Sequence, residues 1–329
     1  LLVMEAAELS GRDGFLAHRR RMLWLLPIGI AHFILLWSGD ILVPLAIGGL
    51  IATYCVRLET LSLIKLALAL IGLQWAINIA VEIAPFWLRS AAMAPDASAQ
   101  VIAHWRQFAD TLGYPGSKTV AAETAQYLSG YGPIVAERLN EFGMSLVSML
   151  LYALPETLSF MALGMAMLKG GFLAGQWSSE QYRATWKRAY LVGLVPMVAF
   201  GAWVLITRDP LVAEASAFAW TVPFRLPLAA AHAALAMDLA IRFPETRLVG
   251  AVRAIGRLAL SNYLLTSLLM TTLFYGYGAG LFARFSRADL LLIVLAVWAM
   301  MLVWSSLWRQ RFRQGPAEWL WRRVARGKA

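Results

Sequence analysis

The chain has 329 residues, of which 60% are hydrophobic and only 15% are charged, and its mean hydropathy is +0.63. A soluble domain carries about 45–50% apolar and about 25% charged residues. This composition therefore excludes an ordinary soluble enzyme and indicates a polytopic membrane protein. The only cysteine, Cys55, excludes a disulfide within the chain and a cysteine-based zinc site.

The chain begins at Leu1 with a short apolar run that extends to Met4, and no secretory signal pattern follows it. We therefore expect the sequence to be an N-terminally truncated piece of a longer protein. The alternative is a start at Met4 behind an extra leader.

Eight apolar stretches are long enough, or nearly so, to cross a bilayer, which takes roughly 20 mostly apolar residues. Backbone polar groups in lipid must be satisfied within each segment, and no alternation of period two indicates barrel strands. The sequence thus predicts an all-α, polytopic transmembrane helix bundle, one integral membrane domain over 1–329 with about eight spans. The first two stretches could instead form one hairpin that dips partly into the membrane. The stretches are residues 22–38, 41–57, 61–84, 143–168, 189–207, 217–240, 256–276 and 288–308.

The net charge of +10 could point to nucleic acid, so the positions of the basic residues matter. If the N-terminus is cytoplasmic and eight spans alternate, most of the 29 Lys and Arg residues fall on the inner side. This distribution follows the positive-inside rule of bacterial inner membranes. It predicts that both chain ends are cytoplasmic and that the basic residues contact anionic lipid headgroups, with no nucleic acid as a partner.

Two segments are predicted to lie outside the spans. Residues 85–140 should form an outer-side cap with helices near 99–112 and 120–128 and a turn at 113–116. Residues 309–329 should form a basic, aromatic cytoplasmic tail whose helix, at about 316–325, lies in the interface. His104 stands alone in the cap, and the sequence predicts no metal site.

Several motifs resemble one family. They are residues 28–32 (IGIAH), 37–42 (WSGDIL), 256–265 (GRLALSNYLL), 273–281 (LFYGYGAGL) and 311–322 (RFRQGPAEWLWR). These motifs resemble those of the YeiB-like family of bacterial inner-membrane proteins (domain-of-unknown-function family 418), and the resemblance covers nearly the whole chain. The family usually opens with two further spans and a Leu-Asp-x-x-Arg-Gly-like motif, which implies about ten spans in the full-length protein.

The resemblance also implies a chemistry. The family is held to be related to transmembrane acyltransferases that modify sugars with cytoplasmic acyl donors. It thus implies acyl-CoA as a candidate donor and a small-molecule, glycan or lipid-linked acceptor, although no cofactor is evident in the residues themselves.

His32 and Asp40 are the candidate catalytic residues. An ionisable side chain at membrane depth is costly, and His32 lies about ten residues, or roughly 15 Å, into its span. An imidazole can act as a general base on a sugar hydroxyl; the alternative is a neutral histidine satisfied by a neighbouring helix. Asp40 would lie about 12 Å away in one straight helix, so it orients His32 only if the chain bends near Gly39. Otherwise it caps the next helix.

Five further residues are candidate substrate-binding residues. Glu156 and Arg225 are expected at similar depth, as a structural ion pair or a substrate clamp. His232 lies seven residues after Arg225 and hence on the same helical face. Asn262 and Tyr263 bind substrate or, as the alternative, form helix–helix hydrogen bonds.

Three functions remain open on these residues. The first is an acyltransferase-like enzyme with a cavity lined by His32, Glu156 and Arg225. The second is a transporter or flippase that uses the same charges as a relay, although no inverted repeat is visible. The third is a non-catalytic membrane scaffold.

Overall fold

Every regular element that the structure describes is helical, as the apolar stretches predict. The structure is a computed structural model that describes residues 1–114 and 116–326. Its α-helices are α1 (Leu2–Glu8), α2 (Gly14–Leu35), α3 (Leu42–Ala52), α4 (Thr60–Ala92), α5 (Ala99–Thr111), α6 (Lys118–Tyr127), α7 (Tyr131–Lys169), α8 (Ser179–Thr207), α9 (Pro210–Ala215), α10 (Val222–Arg242), α11 (Arg247–Arg257), α12 (Ala259–Phe274), α13 (Arg287–Arg311) and α14 (Pro316–Arg326).

Five helices of the described ranges are long and apolar enough to cross a membrane: α4, α7, α8, α10 and α13. The pair α11 and α12 is bent by 81° and adds a sixth span if it counts as one. The predicted number of eight is not confirmed. The difference lies at the start of the chain, because α2 carries arginines at residues 19–21 and α3 has only 11 residues.

The apolar helices present large side chains outward. Along α8, Leu191, Val198 and Leu205 are 61–68% exposed, and only 6% of its most apolar stretch is buried. A soluble protein rarely exposes so continuous an apolar surface. These faces are therefore suited to contact lipid.

The chain divides into two compact units. The first consists of Leu1–Arg57, Gln126–Met149 and Leu239–Ala329, and the second of Leu58–Ala125 and Leu150–Asp238. The single integral membrane domain over 1–329 stays a prediction.

In the first unit, α2 and α3 pack closely because Gly29 has no side chain. A Cβ at Gly29 would lie 2.8 Å from the Val43 nitrogen. Leu25, Leu42 and Leu260 form a small core beside this contact. The close approach of α2 and α3 brings the end of one helix next to the start of the other.

The tail helix α14 belongs to the same unit and packs against α2 and α12. The buried Glu318 carboxylate accepts hydrogen bonds from the Ser261 backbone N–H at 3.0 Å and from the Ser261 hydroxyl at 2.5 Å. The Trp321 indole donates to the Arg21 carbonyl at 2.8 Å. Glu318 thus satisfies a backbone donor in the first turn of α12, where the chain bends.

In the second unit, Phe172, Tyr182 and Ala234 form the core, and a π-helical turn, Ser216–Trp220, joins α9 to α10. Asp209 begins α9 and binds Arg89 and the Tyr114 hydroxyl. Partial burial opposes ionisation of Asp209, but the hydrogen bonds from Tyr114 and Arg89 outweigh it and hold the pKa of this carboxyl below its usual value.

The two segments predicted outside the spans contain the expected helices. α5 and α6 lie at the predicted positions, and α14 covers the predicted tail helix. α4 extends to Ala92 and α7 begins at Tyr131, so parts of 85–140 are continuations of long helices. The predicted turn at 113–116 includes Pro115, which lies outside the described residues.

Candidate active site

The chain reverses between α2 and α3 and returns Asp40 to His32. The His32 Nδ1 lies 2.8 Å from the Asp40 Oδ1, and both side chains are 0% exposed. One straight helix would have separated the two residues by about 12 Å along its axis. The bend that the sequence left open is therefore present, and it makes the contact.

Asp40 is held on both carboxylate oxygens. Its Oδ2 accepts the Val43 N–H at 2.8 Å, in the first turn of α3, and its Oδ1 accepts the Tyr263 hydroxyl at 3.3 Å. The Tyr263 oxygen in turn accepts the Ile41 N–H at 3.2 Å. The two roles considered for Asp40, helix cap and partner of His32, thus occur together. Three donors compensate the buried carboxylate, which would otherwise be costly.

The opposite ring nitrogen of His32 meets a serine that sequence analysis missed. The His32 Nε2 lies 2.9 Å from the Ser267 Oγ, and Ser267 is 7% exposed. The Asp40 carboxylate favours the tautomer with a proton on Nδ1, which leaves Nε2 free to accept the Ser267 proton. The Ser267 hydroxyl can also donate to the Tyr263 carbonyl, at 3.2 Å. Serine is common in membrane helices, so its residue type does not mark Ser267 as functional. The only feature of the sequence that could have indicated it is its position one helical turn after Tyr263.

Ser267 lines an apolar cavity of about 520 Å³ within the first unit. Ligand pockets typically measure about 300–1,000 Å³ and combine apolar walls with a few polar groups. A hydroxyl paired with an imidazole beside an apolar cavity of this size suits a ligand with an apolar chain. The cavity walls include Trp37, Met270, Phe274, Tyr275, Phe282 and Phe285.

Glu156 and Arg225 form an ion pair in the second unit. The Arg225 Nη1 donates to the Glu156 Oε1 and Oε2 at 2.9 and 2.7 Å, and its Nη2 donates to the Ala217 carbonyl in the π-helical turn. The arginine and glutamate side chains are 25% and 17% exposed. His232 is exposed; its Nδ1 lies 2.7 Å from the Leu228 carbonyl and its ring 5.3 Å from that of Tyr190.

Asn262 joins α12 to α13. Its Oδ1 accepts the Trp304 indole N–H at 2.9 Å, and its Nδ2 donates to the Ser305 hydroxyl at 3.0 Å. Asn262 is 2% exposed. The neighbouring Tyr263 belongs to the Asp40 and His32 site, so these adjacent residues hold different parts of the unit.

A chain with several long apolar helices whose large side chains face outward is a multi-pass helical membrane protein. A family model described as "Protein of unknown function (DUF418)" matches residues 167–328. The chain is 30% identical to the uncharacterized protein YeiB of Escherichia coli (strain K12). The matched region covers 92% of this chain and 74% of YeiB. The chain belongs to this DUF418, YeiB-like family, which confirms the expectation from its motifs.

Two further relatives are also uncharacterized. The chain is 29% identical, over 98% of its length, to 75% of the protein YxaH of Bacillus subtilis (strain 168). It is 34% identical over 76 residues, 23% of this chain and 21% of the relative, to a 39.9 kDa protein in the amylase 3′ region of Bacillus acidopullulyticus. No solved structure matches the chain.

Proposed function

We propose that this chain contains the catalytic centre of a membrane acyltransferase. It would move an acyl group from a cytoplasmic donor, with acyl-CoA as the candidate, to a hydroxyl of a glycan or lipid-linked acceptor. One observation carries the proposal: Asp40, His32 and Ser267 form a buried hydrogen-bonded series beside an apolar cavity. The resemblance of the family to transmembrane acyltransferases supports the same chemistry.

The geometry suits transfer in two steps. In the first, the Ser267 Oγ attacks the acyl carbonyl of the donor while the His32 Nε2 takes its proton and passes it to the leaving thiol. In the second, the acceptor hydroxyl attacks the Ser267 ester, His32 takes the acceptor proton, and the proton returns to the Ser267 oxygen. Asp40 acts through His32: it fixes the ring and stabilises the imidazolium that forms in each step.

A serine-reactive fluorophosphonate with an alkyl chain tests this proposal without knowledge of the substrate. We expect the probe to label the purified protein at Ser267, since a serine that is activated by a neighbouring general base attacks phosphorus as it attacks a carbonyl. Ser267→Ala should abolish labelling, and the modified peptide should map to α12 by mass spectrometry.

The matched control is Thr266→Ala. Thr266 also lines the cavity, but its hydroxyl faces the Met301 sulfur at 4.0 Å instead of His32. This variant should label like the unchanged protein. Equal labelling of Ser267→Ala and the unchanged protein would refute the serine as nucleophile.

We further infer a place in the bacterial inner membrane, with eight spans, both chain ends in the cytoplasm and residues 85–140 outside. The concentration of basic residues on the predicted inner segments supports this orientation. An even number of spans is required if both ends share one side, and α2 and α3 would supply the two beyond the six apolar segments.

Labelling of introduced cysteines tests the orientation. In a Cys55→Ser background, Gln100→Cys should react with a membrane-impermeant maleimide added from the periplasmic side, and Glu180→Cys should react only after the membrane is opened. Both positions are exposed in the first turn of a helix, so they match each other in accessibility. The reverse pattern would overturn the proposed topology.

A second candidate function is transport. It is favoured by the Glu156–Arg225 pair, which lies beside a π-helical turn whose Ala217 carbonyl binds the arginine. π-helical turns often occur at functional sites, and charged groups within spans often mark substrate or proton paths.

A further inference from the structure

Arg138, on α7 in the first unit, is a buried cation, and two nitrogens of its guanidinium group have no hydrogen-bond partner. It is 4% exposed, and its Nη1 donates to the Ile34 carbonyl at 3.4 Å. Its Nε and Nη2 are buried and have no hydrogen-bond partner. None of the ion pairs found in the described ranges includes Arg138.

An arginine in this state is costly. A guanidinium stays protonated in proteins, so burial cannot be relieved by loss of the proton. A buried charge normally has a paired anion or a full set of hydrogen bonds. Arg138 has one long hydrogen bond, to the Ile34 carbonyl, and it contacts Tyr275. Its guanidinium lies over the Tyr275 ring at 5.5 Å from the ring centre, and the Tyr275 hydroxyl also interacts with it.

The two nitrogens without a partner, Nε and Nη2, lie on the same edge of the planar guanidinium group. The Nε–H and one Nη2–H point in parallel, and this edge matches two oxygens of a phosphate or a carboxylate. Two separate oxygens, one on each N–H, suit this edge better than a single shared oxygen of a water or a carbonyl. The two parallel N–H groups therefore favour an oxyanion as their partner.

Two residues that Arg138 contacts, Ile34 and Tyr275, lie next to the candidate active site. Ile34 follows His32 by two residues on α2. Tyr275 lines the apolar cavity together with Ser267. Because Tyr275 both contacts Arg138 and lines the cavity, one ligand can place an anion on Arg138 and an apolar chain in the cavity.

We propose that Arg138 binds the phosphate or carboxylate group of an anionic amphiphile whose apolar chain occupies the cavity beside Ser267. The inference rests on the proposed function only where it identifies this ligand as a substrate. Binding itself requires no turnover, so the two proposals can fail separately.

Lipid binding to the purified full chain in neutral detergent tests the inference. The probes are a lysophosphatidic acid, a monoacylglycerol with the same acyl chain, and inorganic phosphate. Charge-assisted hydrogen bonds on one edge should make the phosphate lipid bind about tenfold more tightly than its neutral match. Arg138→Gln should remove this preference and leave the affinity for monoacylglycerol unchanged.

Control variants separate the arginine from general charge and from catalysis. Arg284→Gln removes an exposed arginine of the same unit and should keep the preference. Ser267→Ala should also keep it, even if acyl transfer through Ser267 proves wrong. Arg138→Lys keeps the charge without the two-donor edge, so an intermediate preference is expected, and it serves if Arg138→Gln does not fold.

Two results would overturn the inference. One is equal affinity of the unchanged protein for the charged and neutral lipids. The other is a preference that persists in both Arg138 variants. Inorganic phosphate distinguishes the source of the anion: saturable binding lost in the Arg138 variants would assign the site to free phosphate, and the amphiphile would then be wrong.

Discussion

His32→Ala is expected to slow labelling of Ser267 by the fluorophosphonate by about 10²–10⁴-fold, the range found when a general base is lost. The Ser267 hydroxyl would then keep its hydrogen bond to the Tyr263 carbonyl, and a backbone carbonyl is not basic enough to take the proton. The rate is measured in gel as fluorescence against time. His232→Ala, which changes an exposed histidine of the second unit, is the matched control and should leave the rate unchanged.

Asp40→Asn tests whether the charge of Asp40, and not only its size, is needed to orient His32. The amide keeps the shape of the side chain, but it favours the wrong imidazole tautomer, so a fall in rate comparable to that of His32→Ala is expected. Loss of folding in step with loss of rate, monitored as the thermal midpoint in detergent, would instead assign His32 and Asp40 a structural role.

Glu156→Gln and Arg225→Met are each expected to lower the thermal midpoint, and the double variant should recover part of the loss. Removal of one partner leaves a charge without compensation, which costs about 3–5 kcal/mol for a fully buried pair. Side-chain exposures of 25% and 17% place this pair below that range. Arg225 also holds the Ala217 carbonyl, so its variant should lose more than that of Glu156.

The double-mutant cycle gives the coupling between the two residues. Strictly additive losses would show that the pair contributes nothing beyond its separate members. If transport is the function, the double variant should regain stability but not transport.

The sequence could predict the residues of the sites better than their geometry. Their similar depth in two spans predicted that Glu156 and Arg225 could meet, and the structure pairs them. For Asp40 the sequence left two roles open, because a bend at residues 36–41 depends on how closely α2 and α3 approach at Gly29. That approach is a tertiary contact and has no local signature.

Ser267 and Arg138 could not have been found in this way. Ser267 lies 235 residues from its partner His32, and nothing in the run of α12 distinguishes it from other hydroxyl residues. Arg138 reads as one more basic residue near the start of a helix, and only its burial and its missing partners single it out. The number of spans also depended on context, since the arginines at 19–21 lie inside α2 instead of before it.

The hydrogen bonds from Ser261 to Glu318 link the tail helix α14 to α12, the helix that carries the proposed nucleophile. Ser267 lies six residues beyond Ser261 on α12, or about 9 Å along the helix axis. The exposed Arg322 and Arg323 of α14 are suited to anionic headgroups. If α14 binds such headgroups, as its predicted place in the interface implies, a bilayer poor in anionic lipid should weaken the hold of Glu318 on the first turn of α12. The reactivity of Ser267 would then depend on the charge of the surrounding lipid.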